Sequence, residues 1–161
     1  LRYLAAIGAP GAQEATMYKH ILIPTDGSPL SEEALRQGIA FAKSIDARVT
    51  IVTVSRPFHA IAAEPLMVTD TAEQYVKDCD ARAAKYLSAA KTLAGAAGVP
   101  CETVHVVNDH PYAAIIQTAT DLGCDLIFMA SHGRKGVAAL VLGSETTKVL
   151  THSRIPTLVY R

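Results

Sequence analysis

Five short apolar runs, alternating with stretches of helical spacing, constrain this chain more than any other feature. The runs are His20–Pro24 (HILIP), 48–54 (RVTIVTV), Cys101–Val107 (CETVHVV), 125–130 (DLIFMA) and 155–160 (IPTLVY). The first, second and fourth are almost continuously apolar, as expected of parallel strands covered on both faces. The third sets Val104 and Val106 against Thr103 and His105, an alternation that suits an edge strand.

Between the runs, Leu30, Ala34, Ile39, Ala42 and Ile45 recur at helical spacing. Ser28 is placed as the N-cap of that helix, with Pro29 at its first position, where a missing N–H costs nothing. The Ala-rich stretch Ala72–Ala97 repeats apolar residues at Val76, Cys79, Ala83, Leu87, Ala90 and Ala94, and Gly98-Val99-Pro100 ends it. Residues 111–122 and Ser144–His152 supply two further helices. The order is β-α-β-α-β-α-β-α-β. With right-handed crossovers this predicts an α/β fold, a doubly wound parallel sheet of five strands with helices on both faces. At 161 residues the chain is about one domain.

Composition narrows the partners. Fifteen Lys and Arg balance fifteen Asp and Glu, with no dense basic run, so nothing in the charge points to nucleic acid or an anionic membrane surface. No apolar run approaches the ~20 residues that span a bilayer. Cys79, Cys101 and Cys124 are scattered and odd in number, which fits a reducing compartment, hence the cytoplasm, better than a disulfide framework. Residues 1–16 (LRYLAAIGAPGAQEAT) carry an apolar stretch shorter than a signal-peptide core, and are expected to be an extension or leader preceding a domain over 17–161. A long connection over residues 55–70 has an apolar tip in Phe58, Ile61, Leu66 and Met67, a length often associated with function.

Ligands of open α/β sheets bind beyond the carboxyl ends of the strands. Two polar, glycine-bearing turns mark such ends: Pro24-Thr25-Asp26-Gly27-Ser28 after the first strand, and Ala130-Ser131-His132-Gly133 after the fourth. Nine residues separate Gly133 from Gly143-Ser144, which opens the last helix. Glycine admits close backbone approach, and a helix N-terminus offers N–H groups and positive potential to a phosphate. The dipole alone supplies about 0.3–2 kcal/mol, against about 8 kcal/mol for micromolar binding. Several charge-assisted contacts of about 1.5–3 kcal/mol each and an apolar slot are therefore required. Ser144 either adds a hydroxyl to such a site or caps the helix. His110, His132, Arg134 and Lys135 are further candidates near the crevice.

The stretch 129–150 (MASHGRKGVAALVLGSETTKVL), with the opening 21–28 (ILIPTDGS), resembles the universal stress protein family over essentially residues 18–161. The resemblance implies the strand order 3-2-1-4-5 and binding of ATP or AMP, with Mg²⁺ accompanying ATP. Nucleotide-binding members carry G-x2-G-x9-G-(S/T). Gly133, Gly143 and Ser144 match, while Ala130 stands at the first glycine. By this resemblance Pro24, Thr25 and Asp26 border adenosine, Val54 and Met129 flank the base, and Ala130, Gly133, Gly143, Ser144 and the Glu145 backbone line ribose and phosphates. Two outcomes stand for the added methyl at Ala130: harmless if φ is negative, or a cost of about 1–3 kcal/mol by overpacking where phosphate or ribose passes.

The resemblance also implies a homodimer joined through the last strand, from Ile155 to Tyr160, and a role in stress response. Two alternatives stand beside the nucleotide reading. One is a dimeric interaction protein whose pocket binds no nucleotide, and the other is a weak ATPase or nucleotide transferase. No G-x-x-x-x-G-K-[ST], G-x-G-x-x-G or H-E-x-x-H motif occurs, and no G-x-S-x-G elbow or Cys–His pairing points to a nucleophile. Enzymatic activity beyond slow ATP hydrolysis is not expected.

Overall fold

The computed structural model describes residues 17–58, 72–133 and 142–161. Its elements run β1 (His20–Pro24), α1 (Pro29–Ser44), β2 (Arg48–Ser55), α2 (Ala72–Ala97), β3 (Cys101–Val107), α3 (Pro111–Asp121), β4 (Leu126–Ala130), α4 (Ser144–His152) and β5 (Thr157–Tyr160). All five strands are parallel in the order β3-β2-β1-β4-β5, so β3 is indeed an edge strand. Ile21 pairs with Val49 on one side and Leu126 on the other, which puts the apolar runs at the centre.

Successive residues of a strand face opposite sides of the sheet. Ile21, Ile23, Val49, Ile51, Leu126 and Phe128 pack under α1 and α2, against Leu35, Ile39, Ala90 and Ala94. Leu22, Val52, Ile127 and Met129 form the second layer with Ile115, Ala119 and Val149 of α3 and α4. Ile21, Leu22, Ile23, Ile51 and Ile127 are fully buried, each contributing about 1.5–3 kcal/mol relative to an exposed side chain. This two-sided burial is why those strands read as unbroken apolar runs.

Local signals place the helix starts. Ser28 caps α1, its Oγ accepting from the Ser31 N–H at 3.3 Å, with Pro29 in the first turn. Asn108 Oδ1 accepts from the His110 N–H at 2.8 Å and sets the turn into α3. Boundaries shift where side chains capture backbone groups. The Asp125 carboxylate accepts from the Lys19 and His20 N–H groups at 2.9 and 3.0 Å, so Asp125 clamps the start of β1 and β4 begins at Leu126. Ser153 Oγ accepts from the Ile155 N–H at 3.0 Å and donates to the Ile155 carbonyl at 2.9 Å. That local turn delays β5 to Thr157, two residues later than the apolar run suggests. Conversely, β2 extends one residue further, to Ser55.

At the opposite end of the sheet from the site, His20 is buried with Nε2 2.8 Å from Thr50 Oγ1. Among the described residues its Nδ1 has no hydrogen-bond partner. Burial, with the nearby Arg48 charge, pushes the imidazole below its ordinary value. Cys79 and Cys124 are buried thiols and Cys101 is half-buried, and burial raises Cys101 as well as Cys124, the latter to about 11. Ile61, Leu66 and Met67 lie outside the described residues, whereas the Phe58 ring packs 5.6 Å from that of Tyr75. Among the described residues no helix is long and apolar enough to cross a membrane.

Candidate functional site

A cleft of about 810 Å³ opens beyond the carboxyl ends of β1, β2 and β4. It lies where β1 and β4 are neighbours and the connections leave in opposite directions, the expected position in such a sheet. All ten residues singled out from the sequence gather on its walls. Pro24, Thr25 and Asp26 come from the end of β1 and Val54 from β2. Met129, Ala130 and Gly133 come from β4 and its turn, and Gly143, Ser144 and Glu145 from the start of α4. His110 and His132 line it as well, while Arg134 and Lys135 lie outside the described residues.

The floor is built from short hydrogen bonds. The Thr25 N–H donates to the Val52 carbonyl at 2.9 Å, and Thr53 Oγ1 donates to the Thr25 carbonyl at 3.1 Å. Asp26 Oδ1 accepts from the Ser28 N–H at 3.0 Å, so this carboxylate is oriented by its own turn. A Cβ on Gly133 would strike Asp26 Oδ2, so with any other residue there the Asp26 carboxylate or the turn after β4 would have to shift. The Gly143 N–H donates to the Ser131 carbonyl at 2.8 Å, and a Cβ on Gly143 would lie 3.1 Å from the His132 Cα. The two glycines bring the β4 turn and the α4 start against each other.

Gly143, and not Ser144, is the N-cap of α4, and among the described residues no side chain makes the cap hydrogen bond. Ser144 is its first helical residue, so the capping alternative for Ser144 does not apply. Among the described residues the first turn of α4 has no side-chain cap, unlike that of α1, and Gly143, Ser144 and Glu145 line the cleft. Such a terminus attracts an anion. Thr146 Oγ1 donates to the Ala130 carbonyl at 3.0 Å, joining the first turn of α4 to the end of β4. Ala130 itself is buried in the α1–α2 layer and has no positive φ. Alanine in place of glycine is thus unstrained here.

Glu145 performs a task the sequence did not announce. Its Oε2 accepts from the Tyr112 N–H at 2.8 Å, and its Oε1 meets Lys148 Nζ at 3.1 Å. The carboxylate thereby caps α3 from α4 and is partly neutralised, leaving the Glu145 backbone to the cleft. Lys148 Nζ also sits 5.3 Å above the Tyr112 ring.

The wall contributed by α2 went unread in the sequence. Tyr75, Cys79, Arg82 and Tyr86 form a helical stripe along the cleft. Their 4-3-4 spacing was the available signal, obscured by the alanine-rich apolar face beside it. Burial lifts the Tyr75 phenol to about 12, so it stays a donor, and it donates to the Arg56 carbonyl at 2.8 Å. The cleft thus combines apolar side chains at Val54 and Met129, cations at Arg56, Arg82 and Lys148, carboxylates at Asp26 and Asp109, and the N-terminus of α4. Among the described residues no group of three or more His, Cys, Asp or Glu is placed to hold a metal ion.

Comparison with known proteins agrees with this architecture. The model of the universal stress protein family matches residues 17–161. A universal stress protein of Methanocaldococcus jannaschii is 33% identical over 148 residues, 90% of this chain and 83% of that protein. The solved structure of the hypothetical protein MJ0577 superposes with a TM-score of 0.75 at 29% identity, covering 89% of this chain and 95% of the other. A universal stress protein solved in complex with cAMP gives a TM-score of 0.63 at 25% identity, covering 89% of this chain and 97% of that one. With the family model spanning the sheet from β1 to β5, this chain belongs to the universal stress protein family.

Proposed function

We propose that the cleft binds an adenine nucleotide, ATP or AMP, and that its occupancy is read by protein partners during a cytoplasmic stress response. The observation that carries this reading is the N-terminus of α4, without a side-chain cap among the described residues, lining one cleft with Gly133, Gly143, Val54 and Met129. In this reading the base lies between Val54 and Met129, with Pro24, Thr25 and Asp26 along the adenosine. The phosphates reach the backbone of Gly133, Gly143, Ser144 and Glu145, past Ala130. Several N–H contacts at about 1.5–3 kcal/mol each would reach the roughly 8 kcal/mol of micromolar affinity. The cAMP bound by a relative of the same fold supports the choice of an adenine ligand. With ATP, Mg²⁺ would offset repulsion between the phosphates and the Asp26 carboxylate. Pairing of two copies through β5 gives the occupancy signal a second surface to act on.

Denaturation of the purified protein, with mass-spectrometric identification of released nucleotide, tests the reading, followed by calorimetric titration with Mg-ATP and AMP. An adenine nucleotide in the released fraction, or micromolar binding, is expected. No released nucleotide and no heat at millimolar ligand would overturn it.

A further inference from the structure

Ser55, His105 and Asp80 are brought together by three different elements. His105 Nε2 lies 2.9 Å from Ser55 Oγ, and His105 Nδ1 lies 3.6 Å from Asp80 Oδ1. From this geometry we propose that the three residues form an acyl-transfer triad that opens into the cleft and cleaves small carboxylic esters. The proposal goes beyond nucleotide binding and does not depend on it.

The arrangement assigns the two ring nitrogens opposite roles. A carboxylate beside Nδ1 favours the tautomer with its proton there, which leaves the Nε2 lone pair to accept from the serine hydroxyl. That is the relation a nucleophile and its general base require, with a third group orienting the base. The 3.6 Å separation is longer than a hydrogen bond, and catalytic contacts that are long in a free enzyme often tighten only in the substrate complex.

The platform is rigid. Ser55 ends β2, and His105 lies on the neighbouring β3, where it pairs with Thr53. Residues 53, 55 and 105 alternate in phase with Ile51 and Cys101, so all face α2, which supplies Asp80. The Asn108 N–H donates to the Ser55 carbonyl at 2.9 Å and fixes the strand end. Of the three, Ser55 lines the cleft; the His105 side chain behind it is 23% exposed and that of Asp80 60% exposed, so the ester would meet the triad through Ser55. Arg56 and Arg82 line the same cleft, which gives it positive charge of the kind that favours an oxyanion.

The chemistry balances without a cofactor. Ser55 Oγ forms a bond to the ester carbonyl carbon while His105 Nε2 takes the hydroxyl proton. The carbon–oxygen bond to the leaving alcohol then breaks, and His105 returns the proton to that alkoxide. Water next attacks the acyl-serine, giving its proton to His105. The Ser55 oxygen–carbon bond breaks, the proton passes back to Ser55, and a carboxylic acid leaves. An ester suits the site better than an amide, because its alkoxide departs more readily.

The test uses the full chain without nucleotide. A fluorophosphonate probe is expected to give one adduct, fluoride leaving, on the peptide containing Ser55, and 4-nitrophenyl acetate a burst of nitrophenolate. Ser55→Ala should abolish both, and His105→Gln should slow both by ~100-fold or more. Asp80→Asn should retain the adduct and slow its formation, and Asp80→Glu should restore part of the rate. An adduct on another residue, no adduct on the folded wild type, or labelling of Ser55 at an unchanged rate in His105→Gln would overturn the proposal. The last result would leave these residues as a structural tether between β2, β3 and α2. Mapping the adduct on the wild type keeps the test decisive even where a variant fails to fold.

Discussion

The carboxylate of Asp26 occupies the space in which a side chain on Gly133 would begin, because a Cβ built there meets Oδ2. Its Oδ1 is already committed to the Ser28 N–H at 3.0 Å, so the carboxylate cannot swing away without breaking its own turn. Gly133→Ala must therefore displace either Asp26 or the β4 turn. The expected consequence is an adenine-nucleotide affinity lowered by about 5- to 150-fold, from about 1–3 kcal/mol of overpacking. If Asp26 is the obstacle, adding Asp26→Ala to Gly133→Ala restores part of the loss beyond additivity. Calorimetric affinities for the two single variants and the double variant decide this, and strict additivity would refute the coupling.

Ala130 yields the opposite expectation. Its methyl belongs to the α1–α2 layer, the residue has no positive φ, and its carbonyl is held by Thr146. Ala130→Gly should therefore leave nucleotide affinity within about twofold. It should lower stability by roughly 0.5–1 kcal/mol through backbone entropy alone, with lost packing in addition. Urea midpoints and ligand titrations on the same preparation separate the two effects. A large gain in affinity would show that the methyl obstructs the ligand after all.

His20 makes stability depend on pH. Burial and Arg48 lower its folded value, whereas the unfolded chain titrates near 6.5. The unfolded state then binds more protons across that window. The stabilisation is complete above about pH 6.5 and declines as pH falls through the lowered folded value. Unfolding free energies from urea titrations should decrease between pH 7 and 5, and His20→Gln should flatten that slope. An identical slope in the variant would place the titration elsewhere.

What was legible in the sequence was what is local or fully enclosed. The runs around Ile21, Ile51 and Ile127 announced central strands because both faces are buried, and the mixed pattern of β3 marked it as an edge. Ser28 and Pro29 marked α1 because capping involves residues only three apart. The strand-end walls were readable for the same reason, since Pro24-Thr25-Asp26 and Ala130-Ser131-His132-Gly133 are contiguous. Packing produced the rest. Glu145 reaches Tyr112 only once α3 and α4 lie side by side, and Ser55 meets His105 across fifty positions of sequence. Ile155 read as strand by hydropathy alone, yet the Ser153 hydroxyl had claimed its backbone.

The two edges of the sheet give a last prediction, concerning assembly. β5 closes one side and carries no charged residue over Thr157–Tyr160, with Leu158 37% exposed. β3 closes the other and carries Glu102 and His105, while its Val107 is 58% exposed. Charges protect an edge from pairing, whereas an uncharged apolar edge favours it. The homodimer proposed above should therefore form through β5. Leu158→Asp places a carboxylate on each copy at that junction and should yield monomers in sedimentation at concentrations where the wild type is dimeric. Val107→Asp, an equally polar change on the more exposed residue of the other edge, should leave the dimer intact. A dimer that survives Leu158→Asp but not Val107→Asp would move the interface to β3, and one that survives both would take it off the sheet edges.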